Sequence, residues 1–277
     1  MLTTPLIQTV TLSRQAVDSP EPYDAVQCNI DFVNLLIGEY FKAGELPADS
    51  LLSYYVDYYL SQVNNGGFAQ FIYNSGLDDE INDWIAQGLQ KMGAVRHAAL
   101  FAQSLKQVRE MPEDRLQTFF DSEFFGQNHE RDALNESNEA FYALEDEEDL
   151  DEINGRWLRS LPNLKIVDEA DLEREAARLG ALIPDRAARM QAAQAQTEAN
   201  RSDYERHILA LCSKAGQVLD RITAGDPSHE YEGKPVVAWH FLTDRGHFYY
   251  VALGDEAIMF DGDSHAEIAR VALPLDA

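Results

Sequence analysis

The residues best suited to chemistry in this sequence are carboxylates, which form a dense run near the middle of the chain. Two neighbouring carboxyl groups can act as acid and base when their surroundings separate their pKa values. This run contains no basic residue and lacks the apolar neighbours that such separation needs, so it predicts a charged surface rather than acid–base catalysis. Its members are Glu145, Asp146, Glu147, Glu148, Asp149, Asp151 and Glu152.

The charge of the whole chain is strongly negative, with 48 acidic and 22 basic residues among 277 and a formal net charge of −26. Residues 101–150 hold 14 of the acids but only 4 of the bases. Such a chain repels nucleic-acid phosphates and acidic lipid surfaces, whereas it attracts basic faces of proteins. The charge therefore predicts a basic protein partner, with a purely solubilising role as the alternative.

Other catalytic and metal-binding patterns are missing or weak. Cys28 and Cys212 lie in apolar, helix-like segments, which is typical of core cysteines. The sequence contains no GxSxG, HExxH, GxxxxGK or GxGxxG motif. His240 and His247 lie on one predicted hairpin and could approach each other, although two ordinary strand histidines are the favoured interpretation. We therefore predict no enzymatic activity, no cofactor and no metal site.

Apolar periodicity predicts a mainly α protein, α+β overall, with a small antiparallel sheet at its C-terminal end. Helical spacing of three and four residues dominates the first two-thirds of the chain. Strand-like segments follow at 236–242, 248–253 and 257–260, separated by hairpin turns.

The same patterns predict four segments. They are an N-terminal arm or strand at 1–20, a helical domain at 21–165, a helical connector at 166–225 and the β domain at 226–277. A coiled-coil-like seam predicts one helix from Tyr204 to Ile222, and Ser264 is a candidate cap for a final short helix. The seam also gives modest support to a homodimer.

Targeting signals are not evident. The first fourteen residues lack a basic start followed by an apolar stretch, and no apolar run approaches the length of a membrane span. We therefore expect a cytoplasmic protein.

One segment, residues 54–76, carries a specific string around two adjacent glycines. It resembles the signature of the DNA-mimic protein family called DMP-nineteen. The shared positions are Asn64, Asn65, Gly66, Gly67, Phe68, Gln70, Phe71 and Asn74. The helices at about 21–165 fit that family's helical domain, whereas residues 166–277 lie beyond it.

This resemblance implies a bacterial-type acidic dimer whose surface carboxylates imitate DNA phosphates and occupy the DNA-binding face of a transcription factor. The residues of the signature indicate architecture instead of an active site. The glycine pair turns the chain between two helices, Phe68 and Phe71 enter the core, and the asparagines are suited to capping helix ends.

The leading hypothesis is therefore a non-catalytic protein that binds a basic partner by mimicking DNA. An immunity-type protein that neutralises a basic toxin is the first alternative, and a metal-dependent enzyme using C-terminal histidines is the second. The predicted partner-binding residues are Glu139, Glu145, Asp146, Glu147, Glu148, Asp149, Asp151 and Glu152, with Asp121, Glu123, Glu130, Asp132 and Glu136 as a second group.

Overall fold

The chain is described from a computed structural model, which covers residues 6–145 and 147–274. It divides into two compact units, Met1–Arg189 and Met190–Ala277. Helices dominate the first unit, and a five-stranded antiparallel sheet lies in the second. The predicted class, mainly α and α+β overall, is confirmed.

The first unit begins with a strand and continues through a series of helices. In chain order its elements are β1 (Val10–Ser13), α1 (Arg14–Asp18), α2 (Tyr23–Gly38), α3 (Ala48–Ser75), α4 (Asp79–Met92), α5 (Val95–Arg109), α6 (Glu113–Asp121), α7 (His129–Leu134), α8 (Asn138–Glu145), α9 (Leu150–Arg159), β2 (Leu164–Val167) and α10 (Leu172–Gly180). Helix α11 (Arg186–Asn200) begins in this unit and ends in the next.

Two apolar clusters form the core of the first unit. One lies among β1, α2, α9 and α10, and it includes Val10 and Leu12 from the predicted arm and Leu172 and Leu179 from the predicted connector. Strands β1 and β2 pair in parallel at its edge. The segment before residue 20 thus contributes a buried strand, and its pairing partner lies more than 150 residues along the chain.

The second cluster surrounds α3 and is rich in aromatic rings. The buried ring of Tyr59 meets Phe71, Phe101 and Phe141 edge-on at 5.4, 4.9 and 5.7 Å between centroids. Burial of such a side chain stabilises the fold by about 1.5–3 kcal/mol, and an edge-to-face pair adds about 0.5–1.5 kcal/mol. This cluster therefore joins α3 to α5 and α8.

Helix α3 is broken at the glycine pair, as the sequence predicts. Gly66 has φ −154° and Gly67 has φ +81° with ψ −179°, so neither residue continues the helix. A Cβ on Gly67 would collide with Oδ1 of Asn135 and with Nδ2 of Asn138. Only glycine satisfies both the backbone conformation and this close approach.

The break exposes backbone groups that a distant segment satisfies. The N–H of Phe68 donates to Oδ1 of Asn138 at 3.0 Å, and the N–H of Ala69 donates to Oδ1 of Asn135 at 2.9 Å. The hydroxyl of Tyr142 donates to the carbonyl of Val63 at 3.1 Å. The capping that the sequence assigned to Asn64 and Asn65 is therefore wrong, because side chains of α8 and of the turn before it perform it.

A buried polar layer connects α2, α3 and α9. Nδ2 of Asn29 donates to the carbonyl of Ser50 at 2.9 Å, and Nδ2 of Asn154 donates to the carbonyl of Ser53 at 3.1 Å. Asp57 lies on α3 in the same region and is 9% exposed. Burial raises the pKa of Asp57 to about 6, although a hydrogen bond from Tyr23 lowers it.

The second unit contains one helix packed on a meander sheet. Its elements are α12 (Asp203–Ala215), β3 (Leu219–Tyr231), β4 (Lys234–Thr243), β5 (Gly246–Leu253), β6 (Glu256–Asp261) and β7 (Glu267–Ala272), with neighbouring strands antiparallel. Ile208, Leu211 and Cys212 of α12 pack against one sheet face. The three predicted strands are confirmed as β4, β5 and β6.

Two predicted elements of this unit are wrong. The helix predicted from Tyr204 to Ile222 ends at Ala215, because Gly216 adopts a left-handed conformation with φ +63° and caps it. Ile222 lies in β3 instead. The short helix predicted after Ser264 is strand β7, whose backbone groups pair with β6.

Among the described helices, none combines the length and apolar character that crossing a membrane requires.

Gly67→Ala should destabilise the first unit by about 2 kcal/mol or more, because alanine is strained at positive φ and its Cβ would displace the two asparagine caps. Urea unfolding followed by circular dichroism measures this change. Gly44→Ala is the matched control, since Gly44 is exposed and a Cβ there would have no neighbour within 4 Å. Equal stability of the two variants would contradict the steric argument.

Asp57→Asn should remove part of the pH dependence of stability. The folded-state pKa of Asp57, about 6, lies above the ordinary aspartate value of 3.8. The stabilisation from its protonated form is therefore complete below about pH 4 and is lost as the pH rises through about 6. The difference in unfolding free energy between D57N and wild type should therefore shift by about 2–3 kcal/mol in favour of D57N when the pH rises from 4 to 7.

Denaturant unfolding across that pH range, with the exposed Asp220→Asn as control, tests this expectation. A constant difference between D57N and wild type at all pH values would show that Asp57 titrates alike in the folded and unfolded chains.

Candidate protein-binding surface

The acidic segment of the chain folds as short helices that pack beside the broken helix α3. From α7 into α8, Leu134 and Phe141 turn inward and are buried. Asp132, Glu136 and Glu139 lie on the outer side and are at least partly exposed. Asp132 lies in α7, Glu136 in the 3₁₀ turn Asn135–Ser137 and Glu139 in α8, so the three follow one another at intervals of four and three residues. We refer to these three residues as the acidic row.

Two members of the acidic row carry charge without a counter-charge. In the part of the chain that the structure describes, no hydrogen bond or ion pair reaches the carboxylate of Glu136 or Glu139, and the same holds for Glu123. Asp132 pairs with its neighbour Arg131 at 2.7 Å. Glu136 and Glu139 therefore present negative charge directly to solvent and to any partner.

The run at 145–152, in contrast, is engaged within the fold. Glu147 forms an ion pair with Arg96. The carboxylate of Glu148 accepts hydrogen bonds from the backbone N–H groups of Arg96 at 3.0 Å and His97 at 3.2 Å. These two N–H groups lie in the first turn of α5, so Glu148 caps that helix and its negative charge favours the helix N-terminus.

The remaining members of the run behave similarly. Asp149 caps α9 by accepting from the N–H of Glu152 at 2.9 Å, and Glu152 forms an ion pair with Arg156 one turn along. The negative charge of Asp151 contributes to the raised pKa of Tyr23, after the larger effects of burial and of Asp57. Asp146 and the side chain of Glu145 lie outside the described residues.

The second predicted group is divided between engaged and exposed side chains. Glu130 accepts from Nε of Arg115 at 3.0 Å through both of its oxygens, and from a second guanidinium nitrogen, which is the geometry of a strong ion pair. Asp121 accepts from Gln117 at 2.8 Å. Among the predicted carboxylates, Glu136, Glu139 and Glu123 are thus the ones most available to a partner, and Asp132 lies beside them in an ion pair with Arg131.

An exposed aromatic side chain lies two residues after Glu123 in the chain. Phe125 follows Glu123 in the loop between α6 and α7 and is 82% exposed, whereas its neighbour Phe124 is partly buried. Aromatic side chains are common anchors of protein interfaces. Phe125 could not be singled out from the sequence, because it lies in a polar, loop-like segment and residue type alone does not separate it from the partly buried Phe124.

The signature residues serve the fold. Phe68 and Phe71 are buried. Oε1 of Gln62 accepts from Nε2 of Gln70 at 3.1 Å and from Nδ2 of Asn74 at 2.6 Å, so these amides connect the two halves of α3 across its break. These contacts agree with the interpretation of the signature as architecture.

The cysteines are buried, free and unsuited to nucleophilic attack. Burial raises the pKa of both thiols, that of Cys212 to about 11, so the reactive thiolate is scarce at neutral pH. No group of three histidine, cysteine, aspartate or glutamate side chains in the described ranges could hold a metal ion. The histidines of the predicted hairpin do meet, with Nδ1 of His240 3.1 Å from Nε2 of His247.

Glu148→Ala should lower the free energy of unfolding by about 1 kcal/mol, because helix α5 loses its capping carboxylate. Glu139→Ala should change it by less than about 0.5 kcal/mol, since an exposed carboxylate without partners is lost. Urea denaturation of both variants measures the two effects. Equal effects would contradict the division of these acids into structural and available groups.

The comparisons with known proteins agree with the resemblance noted in the sequence. The family model described as DMP19-like protein matches residues 44–161. This range begins just before α3 and ends just after α9, so it contains the broken helix, its caps and the acidic row. No curated protein and no solved structure gives a significant match. The chain therefore contains a DMP19-like domain at residues 44–161.

Proposed function

We propose that this protein is a non-catalytic, cytoplasmic binding protein whose DMP19-like domain holds the basic, DNA-binding face of another protein. The acidic row of Asp132, Glu136 and Glu139, together with Glu123, is the centre of the contact surface. In this proposal the carboxylates take the place of DNA phosphates, and the partner is inhibited or regulated because its DNA-binding face is covered.

The observation that carries the proposal is the acidic row, two of whose carboxylates have no counter-charge. Exposed carboxylates at intervals of four and three residues suit a matching group of arginine or lysine side chains. A negative field over such a surface steers basic proteins toward it and repels acidic ones. The excess of acids over bases in residues 101–150, 14 against 4, strengthens that field around the row.

The engaged carboxylates have a second role in this proposal. Glu148 and Asp149 place negative charge at two helix N-termini, where it stabilises the fold and still adds to the field at longer range. Substituting them changes helix stability as well as charge. Glu136 and Glu139 are therefore the better positions for testing binding.

Phe125 gives the surface an apolar contact within an acidic surrounding. Interfaces with charged rims commonly contain aromatic residues that lose water on binding and supply much of the affinity. We propose that Phe125 fills an apolar depression on the partner, while the carboxylates set the orientation and the rate of association. A homodimer, as the family resemblance implies, is compatible with this arrangement and would show as twice the chain mass of 31.2 kDa in solution.

The double variant Glu136→Lys/Glu139→Lys should bind its partner at least about tenfold more weakly, since two attractive contacts become repulsive. The partner is isolated from the native host's lysate at low salt and eluted by a salt gradient, and affinities are then measured with the purified pair. Asp220→Lys/Glu230→Lys is the matched control, because it changes the net charge equally at two positions of the second unit.

Competition with duplex DNA decides between mimicry and simple charge attraction. Displacement of a DNA-binding partner by duplex DNA, with weaker binding at higher salt, is the expected result. Equal loss of affinity in both double variants would mean that only net charge matters. A basic toxin as the partner, undisturbed by DNA, would favour the immunity-type alternative.

A further inference from the structure

A pair of histidines lies on the face of the C-terminal sheet opposite α12. His240 on β4 pairs in register with Tyr249 on β5, and Leu242 pairs with His247. His240 and His247 are therefore diagonal neighbours on one face of the hairpin, a relation within reach of long and ring-bearing side chains. Nδ1 of His240 lies 3.1 Å from Nε2 of His247.

Both rings are held in place by their surroundings. A Cβ on Gly262 would collide with Nδ1 of His247, so only glycine leaves space for that imidazole beside the backbone. The ring of His240 lies 5.5 Å from the buried ring of Tyr249, its register partner on β5. The two nitrogens therefore face each other on a prearranged site, with His247 exposed at its outer edge.

We propose that His240 and His247 form a two-histidine binding site for a divalent late transition-metal ion, with Nδ1 of His240 and Nε2 of His247 as ligands. Imidazole nitrogens are favoured ligands of Zn²⁺, Cu²⁺ and Ni²⁺. Two nitrogens about 2.1 Å from one ion at a tetrahedral angle are about 3.4 Å apart. At the observed separation of 3.1 Å the two nitrogens share a hydrogen bond, so one of them carries the proton. The ion takes the place of that proton, which moves to the other nitrogen of the same ring, and the two ligand nitrogens separate by a few tenths of an ångström.

The charges around the pair favour a cation. Asp226 acts electrostatically on His240, and Asp261 interacts with His247. A third imidazole, that of His229, lies 5.0 Å from the ring of Tyr249. Because no three such side chains converge in the described residues, water completes the coordination and the ion exchanges readily.

Binding of Zn²⁺ to the full chain without a histidine tag, measured by isothermal titration calorimetry, tests the site. One ion per chain is expected, and either His240→Gln or His247→Gln should weaken its binding at least about tenfold. His129→Gln is the matched control, because it removes a histidine of the first unit that lies far along the chain from the pair. Gly262→Ala should weaken binding as well, since the added methyl group displaces the ring of His247.

Electron paramagnetic resonance of the chain loaded with Cu²⁺ provides an independent readout. Two coupled nitrogens are expected in the wild type and one in His247→Gln. A melting curve of His247→Gln that matches wild type excludes unfolding as the cause of the change. Absence of Zn²⁺ binding, or unchanged binding in His240→Gln and His247→Gln, would overturn the proposal. Neither result bears on the acidic row, which belongs to the other unit.

Discussion

The structure of the first unit depends on the break in helix α3 at Gly66 and Gly67. Breaking a buried helix leaves backbone N–H groups without partners, and each unsatisfied group costs about 1–3 kcal/mol. Asn135 and Asn138 satisfy the two N–H groups that follow the break. The segment that supplies these asparagines is consequently fixed in position and in rotation about its axis. Asn135 and Asn138 reach the break, whereas their neighbours Asp132, Glu136 and Glu139 are exposed. The glycine pair, which is part of the fold, thereby fixes the position of the segment that carries the available carboxylates.

The acidic residues of this protein perform two physically different tasks. At helix N-termini a carboxylate accepts from free N–H groups and opposes the positive end of the helix dipole, so Glu148 and Asp149 stabilise α5 and α9. The carboxylates of Glu136 and Glu139, in contrast, are exposed, form no hydrogen bond or ion pair within the described part of the chain, and repel one another. Repulsion among like charges destabilises the folded state of a chain with a net charge of −26. The capping acids offset part of this destabilisation because they stabilise helix N-termini. Binding to a basic protein surface, as proposed above, relieves the repulsion between these exposed carboxylates.

Much of this arrangement could be predicted from the sequence, and the failures have physical reasons. Helical periodicity and the glycine pair are local signals, and they located α3 and its break. Strand-like apolar segments separated by hairpin turns are local signals too, and they located the three central strands of the sheet. The partners of the break could not be found in the same way, since Asn135 lies 66 residues from Ala69 and looks like any surface asparagine. Strand β1 was ambiguous because four residues show too little alternation, and its pairing with β2 is a long-range property. The apolar spacing beyond Ala215 fits a strand as well as a helix. Only the left-handed conformation of Gly216, which ends α12, shows that the helix stops there.

The acidic run illustrates the same limit at the level of function. From sequence alone, seven consecutive or nearly consecutive acids are the most conspicuous feature of the chain, and they drew the prediction of a binding site to 145–152. Their dense spacing places several of them beside the first turns of α5 and α9, where free N–H groups and arginines are within reach. The more widely spaced acids at 136 and 139 have no such partners, and they are exposed while Leu134 and Phe141 fill the inner side of their segment. The partners that the fold supplies, more than local charge density, therefore decide which carboxylates remain available to another protein.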